Sequence, residues 1–84
     1  MPPKPYEMPA PEFWDAADFY SVASLRKHET DERFGQACFN LLLHWAPEIA
    51  EIIRGTINDP FYAQTVTDPR IVRFDQEVFG NGSQ

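Results

Sequence analysis

The sequence holds one cysteine, four glycines and two histidines, and only seven lysines and arginines against thirteen aspartates and glutamates. A lone thiol, Cys38, closes no internal disulfide, and its place on an apolar face reads as a buried small hydrophobe in a reducing compartment. The few glycines form no phosphate-cradling loop, and no G-x-S-x-G elbow is present, which removes the commonest nucleotide and hydrolase signatures. The shortage of basic residues, a net charge of −6, argues against direct binding to nucleic-acid phosphates, which depends on lysine and arginine releasing counterions. No apolar run reaches the roughly 18 residues that span a bilayer, and no segment has the layout of a signal peptide. The expectation is a soluble cytoplasmic protein with no membrane contact.

Chemistry is equally short of material. Cys38 and His44 lie six positions apart, about 240° around a helix, so they point to different sides and make a poor nucleophile–base pair. H-x-x-x-H and C-x-x-C spacings are absent, so no metal is expected. Glu12, Asp15 and Asp18 follow one another at steps of three, yet acids there serve first as partners of a helix dipole. No cofactor is expected, and the chain reads as a non-enzyme.

What the sequence does contain is aromatic and apolar surface, 14% and 43% of its 84 residues, enough for one small domain with one core. The stretch R-F-G-Q-A-C-F-N-L-L-L-H-W over residues 33–45 dominates. Phe34, Ala37, Cys38, Leu41, Leu42 and Trp45 recur at steps of three and four, and Phe39 and Leu43 add a second row, so this helix must be surrounded. Gly35 within it marks a close approach by another helix or by an aromatic ring. Thr30 or Asp31 is expected to cap it. A narrow polar line, Gln36, Asn40 and His44, interrupts the apolar rows. Two uses of that line stay open: a structural one, as partners for buried loop carbonyls or as the thin solvated edge of the helix, or a recognition strip flanked by Phe39 and Leu43.

Around this helix the pattern predicts an all-α bundle of about four helices. Residues 1–10 form an extended proline-rich arm, in which Tyr6 and Met8 could anchor on this or another molecule. Residues 11–79 form a single helical domain, and residues 80–84 a flexible tail. A first helix is expected over 11–27, Pro11 in its first turn and Phe13, Ala16, Ala17 and Tyr20 on its apolar stripe. Pro47 restarts a short helix that stops at Gly55. Asp59-Pro60 opens a turn carrying Phe61 and Tyr62, with Arg54 expected to pair with Asp59 and Tyr62 to stay partly exposed. Asp68-Pro69 opens a last helix with Ile71, Phe74 and Val78 on one face.

Arg33-x-Gly35-Gln36, Asn40-Leu41, Pro47, Arg54-Gly55-Thr56, Asp59-Pro60-Phe61-Tyr62 and Ile71-x-x-Phe74 together resemble small proteins of unknown function carried by tailed phages and prophages. The similarity covers residues 33–79, and that group has no assigned reaction. It implies a mobile-element origin and no mechanism, so the cytoplasm expected above is that of a host cell. The expected function is a small acidic module that binds a host or phage protein, with an inhibitor of a bacterial defence system such as an anti-CRISPR protein as a special case. An acidic face of Glu12, Asp15, Asp18, Glu29, Asp31 and Glu32 could then compete for a basic, nucleic-acid-binding surface on the partner. Candidate contact residues are Glu12, Asp15, Asp18, Gln36, Asn40, His44 and Tyr62. The alternative is a structural or assembly protein, a homodimer or larger homo-oligomer joined through its N-terminal arm.

Overall fold

The long apolar stretch is a helix, and the other elements are laid against it. In a computed structural model describing residues 3–80, four α-helices follow a short 3-10 turn at Pro5–Glu7: α1 is Ala16–Thr30, α2 Phe34–Trp45, α3 Pro47–Ile53 and α4 Pro69–Phe79. No strand occurs among the described residues. Met1, Pro2 and residues 81–84 of the expected arm and tail lie outside them.

Both apolar rows of α2 are covered. Phe34, Ala37, Cys38, Phe39, Leu41, Leu42 and Trp45 are all buried, with Leu43 packed against them. Each fully buried leucine contributes about 1.5–3 kcal/mol relative to exposure. The helices α1 and α3 both pack on α2. Pro47 sits at the first position of α3 with no break longer than Ala46, and Gly55 follows its end at φ 76°, a left-handed conformation suited to glycine. Asp68 accepts from the Arg70 amide at 2.8 Å and starts α4. That helix sends Ile71 and Phe74 into the core, with Val78 packed beside them.

The close approach at Gly35 is present, but it is made by the backbone of a turn rather than by a helix or an aromatic ring. Its amide donates to the Ala63 carbonyl at 2.9 Å, inside the turn opened by Asp59-Pro60. Asp59 holds that turn by accepting from the Gly55 amide at 2.8 Å and the Phe61 amide at 3.0 Å. Arg54 does not pair with Asp59. It bridges to its helical neighbour Glu51 at 2.9 Å and lies over the Phe39 ring. The stretch around Val66 is a turn, and Val66 is exposed.

The start of α1 departs from expectation. Asp15 accepts from the Asp18 amide at 2.9 Å and Asp18 accepts back from the Asp15 amide at 3.3 Å, a reciprocal cap that begins the helix at Ala16 rather than Pro11. The buried stripe is consequently Phe19 and Ala23, while Phe13 lies outside the helix at 84% exposure and Ala17 faces outward. At its other end α1 runs to Thr30, and Asp31 stops it in the left-handed region at φ 63°. Asp31 therefore caps α1 at its C-terminus, and Arg33 stands at the N-cap of α2 without a side-chain bond to that helix.

Candidate functional site

The arm is part of the molecule. Tyr6 is buried, its hydroxyl donates to Glu29 at 2.8 Å, and Lys4 bridges to Glu29 at 3.2 Å. The tyrosine hydroxyl and the lysine ammonium hold the Glu29 carboxyl below its usual range. Arg26 lies over the Tyr6 ring at 5.5 Å and pairs with Glu32 at 2.8 Å. Glu32 also accepts from the Asn40 amide at 3.0 Å. Glu29 and Glu32 of the expected acidic face are thus engaged by the arm and by α1.

The polar line on α2 divides along its length. Gln36 is half-buried, Asn40 is tied to Glu32, and His44 is exposed. Asn40 and His44 share a groove with Tyr6, Glu7, Arg26 and Leu43. The middle of the line thus serves as a joint between α2 and the segment leading into it.

Burial raises the Glu32 carboxyl, but the hydrogen bond and charge of Arg26, with the Asn40 amide, outweigh it, so the carboxyl lies below its ordinary value of 4.5. The lowered value has a definite sign for stability. The contribution is complete above the unfolded carboxylate range and is lost as pH falls through the folded value. Glu32→Gln is therefore expected to flatten the acid limb of a urea-midpoint profile below about pH 4.5. An unchanged limb would mean that Glu32 carries no native-state charge pairing in solution. Asn40→Leu leaves the half-buried carboxylate one donor short and should cost about 1–2 kcal/mol in urea unfolding. A stable Asn40→Leu protein would instead assign Asn40 to an outward contact.

Cys38 is fully buried, and burial pushes its thiol far above the ordinary range, which disfavours a thiolate. Among the described residues no group of three or more histidine, cysteine, aspartate or glutamate side chains is placed to hold a metal ion. No described helix is long and apolar enough to cross a membrane.

Two other surfaces carry candidate contact residues. At one, Tyr62 is 68% exposed and Arg33 lies over both its ring and that of Phe61, each at 5.3 Å. Tyr62 borders a small hollow with Thr56, Ile57, Arg70 and Arg73. At the other, Glu12, Asp15 and Asp18 line a hollow with Phe13 and Trp14. It shares Phe13 and Asp18 with an open apolar groove of about 770 Å³, whose walls include Pro5, Met8, Val22 and Trp45. No family model, curated protein or solved structure matches this chain.

The seven candidate contact residues therefore fall on three surfaces. Glu12, Asp15 and Asp18 are brought together. Gln36, Asn40 and His44 lie along α2, and Tyr62 stands with the arginine-bordered hollow. Sequence reasoning missed Phe13, exposed at 84%, whereas Met8, a candidate anchor of the arm, is 43% exposed on the groove. A signal for Phe13 was available: the Asp15-x-x-Asp18 spacing is a capping pattern, and recognising it moves Phe13 off the helix. Trp45 gave no such sign. It is 9% exposed, and its indole N–H is a buried donor with no partner among the described residues, a feature costing about 1–3 kcal/mol.

Proposed function

We propose that this chain is a non-enzymatic protein-binding module that acts by occupying a surface of another protein. The observation that carries the reading is Phe13, a large aromatic left 84% exposed beside an apolar groove and three acids. Aromatic anchors set in an apolar patch with a polar rim are the usual composition of contact surfaces. The deep burial of Cys38 supports the non-enzymatic part. A narrower form takes only a phage origin from the resemblance and adds, from the acidic balance and small size, a protein that blocks a host protein, with a bacterial defence system such as CRISPR as a special case and a basic nucleic-acid-binding surface as the place of contact.

Arm exchange between copies is less favoured, because Tyr6 and Lys4 already bond Glu29 of their own chain. Exchange would break those bonds before making equivalent ones. Affinity capture of the tagged full chain from host cells, at low salt and with cross-linking, tests the reading. A stoichiometric partner lost on Phe13→Ala is the expected result. Recovery of no stoichiometric partner under those conditions would refute it.

A further inference from the structure

We infer that the groove between the arm and α1 receives a cationic amphipathic segment of the partner, apolar side chains inward and lysines or arginines against the rim. This deepens the protein-binding reading and rests on it. The walls supply the apolar half of the recognition. Pro5, Met8, Phe13, Val22 and Trp45 face one open groove, and among them Phe13 and Met8 are exposed large hydrophobics. Prolines suit such a wall, because their backbone is already restricted and loses little freedom on contact. An amphipathic helix laid into a hydrophobic groove is an established mode of peptide capture.

Charge decides between occupants. Asp18 lines the groove, and Glu12 and Asp15 line the hollow that continues it past Phe13. No lysine or arginine borders either, and none of the ion pairs among the described residues involves these three acids. They differ in this from Glu29 and Glu32, whose charges Lys4 and Arg26 already answer. A second copy of this chain would bring one acidic rim against another, so self-association through the groove is opposed. An anionic lipid surface is opposed for the same reason. A segment carrying positive charge beside its apolar face satisfies both halves.

The test uses the ¹⁵N-labelled full chain and a synthetic helical peptide with leucines at steps of three and four and lysines elsewhere. A matched peptide with glutamate in place of lysine is the control. Shifts are expected at the amides of Met8, Phe13, Ser21 and Val22 and at the Trp45 indole, and binding should weaken as salt rises. Phe13→Ala, at a side chain too exposed to threaten folding, should raise Kd about tenfold or more, the size expected for a central aromatic anchor. Glu12→Lys should weaken the lysine peptide and strengthen the glutamate one. Equal affinity for both peptides, or shifts centred on Tyr62, would overturn the groove assignment, as would an unchanged Kd for Phe13→Ala. So would a dimer in light scattering that Phe13→Ala dissolves, or binding to anionic phosphatidylglycerol vesicles in place of the lysine peptide. If the peptide fails while affinity capture yields a partner insensitive to Phe13→Ala, the groove inference falls. A partner captured that way leaves protein binding standing with its contact elsewhere.

Discussion

Gly35→Ala is expected to lower stability by about 3 kcal/mol, against the direction that helix propensity alone gives. In an exposed helix interior the change would gain about 1 kcal/mol. Here a Cβ would fall on the Pro60 carbonyl oxygen and within 2.9 Å of the Ala63 Cβ and amide nitrogen. Two of these neighbours are backbone atoms and the third is a Cβ fixed to the backbone, so none can swing aside as the end of a long side chain would. They are also held in place: Ala63 donates to the Pro60 carbonyl at 2.8 Å, and Asp59 ties the start of the turn by accepting from the Gly55 and Phe61 amides. To admit the methyl, α2 and the turn must separate, which breaks the Gly35 amide bond to Ala63. Overpacking typically costs 1–3 kcal/mol and a buried unpaired amide about as much again, so the steric effect outweighs the propensity gain. For a domain of this size the loss corresponds to roughly 12–24 °C in Tm.

Gly55→Ala is the useful comparison. Nothing lies within 4 Å of its would-be Cβ, and only the positive φ of 76° opposes the change, so about 1–2 kcal/mol is expected. Thermal and urea unfolding of the two variants, side by side, separates crowding from backbone conformation. A Gly35→Ala protein as stable as its parent would mean that the turn over residues 59–63 does not rest on α2 in solution.

Gly35 was legible because a costly residue in a rich apolar helix demands a steric reason. The same holds for Pro47 and for Asp68-Pro69, whose local chemistry starts a helix whatever surrounds it. Choices between competing local signals were harder to read. Pro11 and Asp15 both suit a helix start, and the reciprocal Asp15–Asp18 cap prevails because it satisfies two amides, whereas proline only avoids needing one. Asp31 could have opened α2 as easily as it closes α1. Its left-handed backbone decides the matter, and aspartate is among the few residues that tolerate it.

Tertiary partners were hardest of all. Arg54 had Glu51 one turn back and Asp59 across a loop, and the helical neighbour holds the closer geometry without ordering a loop. The acidic face was legible as composition but not as a surface. Lys4 reaches Glu29 from 25 residues away, and Arg26 reaches Glu32 around the end of α1. Those two pairings leave Glu12, Asp15, Asp18 and Asp31 without ion pairs among the described residues, and of these four only Glu12, Asp15 and Asp18 line the groove or the hollow beside it. The candidate site thus depends on which charges the fold consumes, and spacing along the chain carries little information about that.

Phe19→Ala is expected to cost about 3–5 kcal/mol, the range for emptying a buried phenylalanine site. Phe19 is fully buried, and its ring centroid lies 5.5–6.0 Å from those of Trp14, Tyr20, Trp45, Phe74 and Phe79. These rings come from the segment before α1, from α1 itself, from α2 and from α4, so Phe19 is where the elements meet. Aromatic pairs add about 0.5–1.5 kcal/mol each beyond area, though contacts sharing one ring do not sum. The loss should also be uneven. The helices α2 and α3 keep their own packing, whereas Phe74 and Phe79 of α4 each lose a ring partner at Phe19. Hydrogen exchange should therefore show α4 losing protection more than α2 in the variant. Total stability for a chain of this length is about 4–13 kcal/mol, so the alanine variant could unfold outright. Phe19→Leu, which keeps most of the volume, is the companion measurement, with a cost of about 1–2 kcal/mol and the same ordering of protection. An alanine cost below about 1 kcal/mol would mean that the ring cluster is not packed around Phe19. Equal loss of protection across α2 and α4 would mean that α4 is not held chiefly through that cluster.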